Sequence, residues 1–172
     1  MLIFLDSDVV PSKTLIDEHL AFHLANKDIY VAGGLVTPSF NLNLQSFWEI
    51  IDGCMSWFTS VDLGKMRIIN FPYHVPTCNM SIKTKLFKTK IAFNENLKTG
   101  EDANFCDDVR KHKKKIALIP GAKVLHHDRK KFKDVLNHQL EWGKHQYFTI
   151  YKKRFYSNNH KSLFFFTFLV LF

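Results

Sequence analysis

The chain opens on a short apolar run, Leu2-Ile3-Phe4-Leu5, that stops at two acids one residue apart, Asp6 and Asp8. A wholly apolar run of that length predicts a buried parallel strand whose polar C-terminal end opens onto a ligand crevice. Alternate residues of an extended chain share a face, so Asp6 and Asp8 would project together. Paired hard oxygen ligands of this kind suit Mg²⁺ or Mn²⁺ bridging a diphosphate. An Asp-x-Asp alone is equally compatible with a polar turn at a strand end, so its meaning rests on the rest of the chain.

Pro11 suits the first turn of a helix carrying Leu15, Ile16, His19, Leu20, His23 and Leu24, which Asn26-Lys27-Asp28 can end. Ile29 to Val36 reads as the next strand. From Leu42 to Phe58 the apolar positions Leu44, Phe47, Trp48, Ile51, Met55 and Phe58 keep a helical period and predict a helix packed on the sheet. Pro72 and Pro76 interrupt an aromatic stretch, which predicts a loop and a short strand leading to Cys78-Asn79-Met80. After the polar turn Lys98-Thr99-Gly100, a helix is expected to run from Glu101-Asp102 through Arg110, its first-turn acids favoured by the helix dipole. Ile116 to Ile119 and Ala122 to Leu125 read as two short strands around Pro120-Gly121, ending at His126-His127-Asp128-Arg129. A long amphipathic helix from about Phe132 to Tyr151 follows.

With 172 residues, 46% hydrophobic and 23% charged, the chain has the length and apolar content of one folded domain, which excludes disorder over most of it. Lys and Arg number 24 against 16 Asp and Glu, for a net charge of +8, so nucleotide phosphates, nucleic acid and anionic lipid head groups would all be drawn to such a surface, and net charge alone does not choose among them. The basic residues gather late, at Lys111 to Lys115, Arg129 to Lys133, and Lys152-Lys153-Arg154 with Lys161. Solvated helix faces are the simpler reading of the first two groups. Cys54, Cys78 and Cys106 form no C-x-x-C pair, which suggests neither a zinc site nor a disulfide framework and fits a reducing compartment. The first ten residues lack a basic n-region, so they are not read as a secretory signal. Leu163 to Phe172 is apolar except for Thr167 but shorter than the ~20 residues that cross a bilayer. Behind the basic group before it, this run reads as the start of a membrane segment with its flank cytoplasmic. The expected division is a catalytic domain over 1–155 and a membrane-associated segment over 156–172.

Later pieces line up behind the Asp-x-Asp: Thr77-Cys78-Asn79-Met80-Ser81-Ile82, then Phe93-Asn94-Glu95-Asn96-Leu97, then Gly100-Glu101-Asp102, and finally Val124-Leu125-His126 with Arg129. In order and spacing they resemble the family 2 glycosyltransferases of the GT-A fold over nearly the whole length. The resemblance implies an α/β fold, a partial GT-A mixed sheet flanked by helices. It further implies a metal-dependent, inverting transfer of a sugar from a nucleotide-sugar donor to a hydroxyl of a saccharide or lipid-linked acceptor. The setting implied is cell-envelope polysaccharide or glycolipid assembly at the cytoplasmic face of the cell membrane, with no nucleic acid as partner.

By the same resemblance Asp8 binds Mg²⁺ or Mn²⁺ directly, and Asp6 contacts the nucleotide ribose or a metal-bound water. His126, or its neighbour His127, completes the metal shell as a neutral imidazole. Asp102 is the base that takes a proton from the acceptor hydroxyl. Glu101 orients the acceptor or caps the helix, and Asn79 and Trp142 contact the acceptor. Each has a plainer alternative: a helix-first-turn acid for Asp102, a solvated strand end for His126-His127, and a turn cap for Asn79.

The sequence also departs from the family. The strand–helix–strand unit that binds the nucleotide base before the Asp-x-Asp is missing, which predicts an incomplete donor pocket. Processive members carry Gln-x-x-Arg-Trp; aligned on Trp142, His138 and Glu141 stand at the Gln and Arg positions, which predicts transfer of a single sugar. Two rivals remain. Asp6, Asp8 and Val10 also satisfy the first motif of haloacid dehalogenase-like phosphatases, in which Asp6 would be the nucleophile and Asp8 the acid. The other is an inactive remnant or membrane-attached basic binding module, although the Phe residues concentrate in apolar-periodic stretches rather than in base-stacking platforms.

Overall fold

The computed structural model describes residues 1–38, 46–57, 60–70 and 73–146. The expected membrane segment at 156–172 lies outside these residues, as does the end of the last helix beyond Gln146. Among the described residues no helix is long and apolar enough to cross a membrane.

The strands are β1 (Leu2–Leu5), β2 (Val9–Pro11), β3 (Ile29–Pro38), β4 (Arg67–Ile68), β5 (Asn79–Ile82) and β6 (Lys115–His126). The helices are α1 (Leu15–Ala25), α2 (Phe47–Trp57), α3 (Glu101–Lys111) and α4 (Phe132–Gln146), with a 3₁₀ turn at Thr84–Lys88. The strands form one mixed sheet in the order β1-β5-β3-β6-β2, with β4 also paired to β6. The β3–β6 pair is parallel and every other pair is antiparallel.

Strand alternation sends side chains to two cores. Val31, Leu35, Met80, Ile82, Ile116 and Leu118 meet Phe105, Cys106 and Val109 of α3 on one face. Ala32, Val36, Ile119, Ala122 and Val124 meet Leu15 of α1 on the other, with Trp57 of α2 packed against them. The chain is thus a mixed α/β structure whose sheet has helices on both faces.

The structure corrects the sequence reading of the first thirty residues. β1 is antiparallel to β5 and has no second partner among the described residues. Its ends, Leu2 and Leu5, are exposed, because only Ile3 and Phe4 reach the two cores. Pro11 does not open a helix; it ends β2, where a strand at the sheet edge needs no amide donor. On α1 the buried residues are Leu15, His19 and His23, while Ile16, Leu20 and Leu24 stay exposed. The two histidines are buried because Asn79 and Ser81 beneath them supply polar partners. On α2, likewise, Glu49, Asp52 and Gly53 face inward and Phe47 and Met55 outward.

β6 is one strand, not two. Its register with β3 jumps from Gly34↔Ile119 to Leu35↔Lys123, so Pro120-Gly121-Ala122 bulge out of the ladder. Asn79 repairs the gap: its Nδ2 donates to the carbonyls of Leu35 and Ala122, each at 3.0 Å. A Cβ on Gly34 would collide with the Ala122 carbonyl and the Asn79 amide, so the close approach of three strands requires glycine there.

Candidate active site at the acidic end of the sheet

β1 ends with Leu5 opposite Asn79, and β2 begins with Val9 opposite His126. The three residues Asp6-Ser7-Asp8 therefore span the end of the sheet from the β1–β5 pair to the β2–β6 pair. Ser7 and Asp8 form a turn, so the alternate-face argument for Asp6 and Asp8 does not apply to them. Asp8 is fixed by its backbone, whose carbonyl accepts from His127 N at 3.0 Å.

The turn brings Asp8 to His126. The Asp8 Oδ1 to His126 Nε2 distance is 3.6 Å, with Asp8 half exposed and His126 buried. Nδ1 of the same imidazole lies 2.9 Å from Asp128 Oδ1. Trp57 Nε1 donates to that oxygen at 2.9 Å, and the Trp57 ring lies against the His126 ring with centroids 4.6 Å apart. With Asp128 Oδ1 accepting, Nδ1 carries the proton and Nε2 faces the Asp8 carboxylate. Two acceptors turned toward each other need a proton or a cation between them. Of the two neighbouring histidines, His126 therefore faces the acids, and His127 is exposed.

The other acids share this end of the sheet. Burial raises the Asp6 carboxyl above its usual pKa; the charges of Asp8 and Asp102 push it the same way, and His126 opposes them. Glu101, the first residue of α3, is also raised by burial, with Asp102 and Asp6 adding to it. Burial pushes the Cys78 thiol up, and Asp6, Asp102 and Asp8 add to that shift. The opening doublet and the carboxylate of α3 thus lie within each other's electrostatic field. Asp102 itself is mostly buried, its Oδ2 3.6 Å from His74 Nε2, and its Oδ1 accepts from Ala103 N.

The segment after β6 is braced from behind. Asp52 of α2 is fully buried and accepts from the backbone N of Arg129 at 3.1 Å and from its guanidinium at 3.2 Å. His138 Nδ1 of α4 stands 3.5 Å from the same carboxylate, at ion-pair rather than hydrogen-bond distance. Burial alone would raise Asp52, but His138 and Arg129 outweigh it and hold the carboxyl at about 2. Trp142 lies on His138, with ring centroids 4.5 Å apart, on this bracing side.

Two expected roles change with these positions. Asn79 is fully buried, and its amide is committed to Leu35, Ala122 and His19, so it serves the sheet rather than an acceptor. Asp6 does not join Asp8 and His126 as a third ligand: among the described residues no group of three or more His, Cys, Asp or Glu is gathered to hold a metal. Asp8 and His126 remain as a pair of donors. A pair fits Mg²⁺ or Mn²⁺ bound together with substrate phosphates and water, since such ions take one or two protein ligands and keep several waters. The carboxylate behind His126 is the usual partner of a ligating imidazole.

The sequence reading missed Asp128, Trp57, Asp52 and His74. Asp128 had a signal, since it stands two residues beyond His126 and alternation puts both on one side of extended chain. Trp57, Asp52 and His74 reach the site only through the fold. The sequence matches no protein-family model and no curated protein.

Proposed function

We propose that this chain is a GT-A-like glycosyltransferase domain that moves a single sugar from a nucleotide donor to a hydroxyl acceptor with inversion. The observation that supports it most is the Asp8–His126 pair, backed by Asp128, in the same electrostatic field as Asp102. The setting proposed is saccharide or lipid-linked acceptor glycosylation at the cytoplasmic face of the cell membrane, with residues 156–172 as the anchor.

In this reading Asp8 and His126 would hold Mg²⁺ or Mn²⁺, and Asp128 keeps the His126 proton on Nδ1 so that Nε2 stays free. The ion, when bound, neutralises charge on the departing nucleoside diphosphate. Asp6 contacts the donor ribose. Asp102 accepts the proton of the acceptor hydroxyl as that oxygen attacks, and His74, 3.6 Å away, orients the carboxylate. Glu101 orients the acceptor beside it. Against the phosphatase alternative, which needs a metal-binding acid pair directly after a later apolar strand, Asp102, Asp107 and Asp108 stand on α3 behind a polar turn.

Calorimetry with UDP and GDP, with and without Mn²⁺, tests the reading in the wild-type chain and in Asp8→Ala. Metal-dependent nucleotide binding that is lost in the variant is expected. Equal binding by both proteins would remove Asp8 from this role.

A further inference from the structure

The outward side of α4 is apolar where a helix end facing water has no need to be. Phe132, Leu136 and Leu140 are 52%, 43% and 49% exposed. At about 100° per residue they fall within about 80° of arc beside the buried face. Phe132 continues this surface onto α2 through Trp48, with ring centroids 4.6 Å apart, and Trp48 meets Phe47, which is 66% exposed. Ser46 Oγ donates to the Lys130 carbonyl and ties the two helix starts together.

Charge is arranged around this patch. Lys130 and Lys131 precede the helix, and Lys133 and Lys144 occupy the next about 40° of arc beyond Leu140. The two exposed acids of α4, Asp134 and Glu141, sit about 180–200° from Phe132. An apolar strip with aromatics, bordered by lysines and with its acids turned away, is the pattern of a helix lying in a lipid interface. Antiparallel pairing of α4 with a second copy would set this lysine border against itself, whereas an anionic leaflet neutralises it.

We propose that the Phe132–Leu136–Leu140 face of α4, with Phe47 and Trp48, docks on an anionic lipid bilayer. This surface lies on α4 and α2, apart in sequence from the apolar run at Leu163 to Phe172. It stands apart from the transferase reading, since this face shares no residue with the Asp6, Asp8, Asp102 and His126 site.

The test is a fluorescent probe sensitive to its surroundings, placed on the full chain at Leu140→Cys and, as a control, at Lys111→Cys of α3. Both use a Cys54→Ser background, because Cys54 is exposed while Cys78 and Cys106 are buried. Vesicles of phosphatidylcholine alone and with phosphatidylglycerol, each carrying nitroxide lipids, are the partners. A blue shift and nitroxide quenching at position 140 but not at 111 are expected on the anionic vesicles. Apparent binding should weaken about tenfold or more in the Lys130→Glu, Lys131→Glu, Lys133→Glu chain. A probe at 140 that stays in water on vesicle-bound protein overturns the proposal, as does failure to bind anionic vesicles. Burial of the probe without vesicles, growing with protein concentration, overturns it in favour of self-association.

Discussion

Asp128 Oδ1 stands 2.9 Å from His126 Nδ1, and through that contact it decides which imidazole nitrogen faces Asp8. An amide in its place can offer an N–H to Nδ1 and move the ring proton to Nε2. Asp128→Asn should therefore weaken Mn²⁺-dependent nucleotide binding by about 10–100-fold, the usual cost of losing such a partner. Calorimetry measures the affinity, and ¹⁵N resonances of the metal-free imidazole report the tautomer. An unchanged tautomer with full affinity would leave Asp128 as packing only.

Asp102→Asn keeps the volume of the side chain and removes its basicity. Sugar transfer should fall by about 10²–10⁴-fold while metal-dependent nucleotide binding stays within about twofold. Single-turnover transfer beside calorimetry on the same sample separates the two. Loss of both together would point to a structural role for Asp102 at the start of α3.

A polar chain crosses the core beneath α1. Asn79 Oδ1 accepts from His19 Nε2, His19 Nδ1 accepts from the Ser81 hydroxyl, and Ser81 Oγ accepts from His23 Nε2. This order needs His19 neutral, because its Nδ1 accepts, whereas His23 only donates and is disfavoured as a cation by its burial. Burial lowers both, His23 to about 4, with Lys83 and His19 adding to its shift. A histidine depressed in the folded state contributes stability that is complete above its unfolded value of 6.5 and is lost as pH falls toward 4. His23 alone should cost about 2 kcal/mol by pH 5 and about 3 kcal/mol by pH 4. Raised Asp6 and Glu101 work in the opposite direction, so urea titrations of His23→Leu beside the wild type isolate the histidine share. Parallel slopes between pH 6.5 and 5 would refute it.

Asn79→Ala leaves the Leu35 and Ala122 carbonyls and the His19 ring without their partner in the core. The cost should be about 3 kcal/mol or more, since each buried polar group left unpaired costs about 1–3 kcal/mol. Gly34→Ala should cost about 2–4 kcal/mol, because its methyl meets the Ala122 carbonyl and an Asn79 amide pinned by its own hydrogen bonds. Urea midpoints check both. A Gly34→Ala chain as stable as the wild type would mean that the β3–β6 bulge relaxes easily.

Strand β3, the span of α3 and the acids at Asp6, Asp8 and Asp102 were legible because each carries a local pattern: an apolar run, first-turn acids after a polar turn, or charges at an element end. The inward faces of α1 and α2 were not. Periodicity assigns Leu20, Leu24, Phe47 and Met55 to the core, whereas the fold buries His19, His23, Glu49 and Asp52. A polar residue is buried when partners distant in sequence meet it, and Ser81, Asn79 and Arg129 lie 58 to 77 positions from the groups they satisfy. Nothing local to α1 or α2 announces them. The β1 misreading has the same origin, since an apolar run shows that a strand is wanted but not which neighbours cover it.

The Asp6–Asp8 turn is anchored at both ends, by Leu5 on Asn79 and by Val9 on His126. Its conformational entropy is spent when the sheet forms rather than when a ligand arrives. A cation or nucleotide bound here as proposed would find its donors already in position and lose little affinity to ordering them. The same rigidity makes spacing critical: one residue added to the turn would leave both strands paired and turn the carboxylate away from the imidazole.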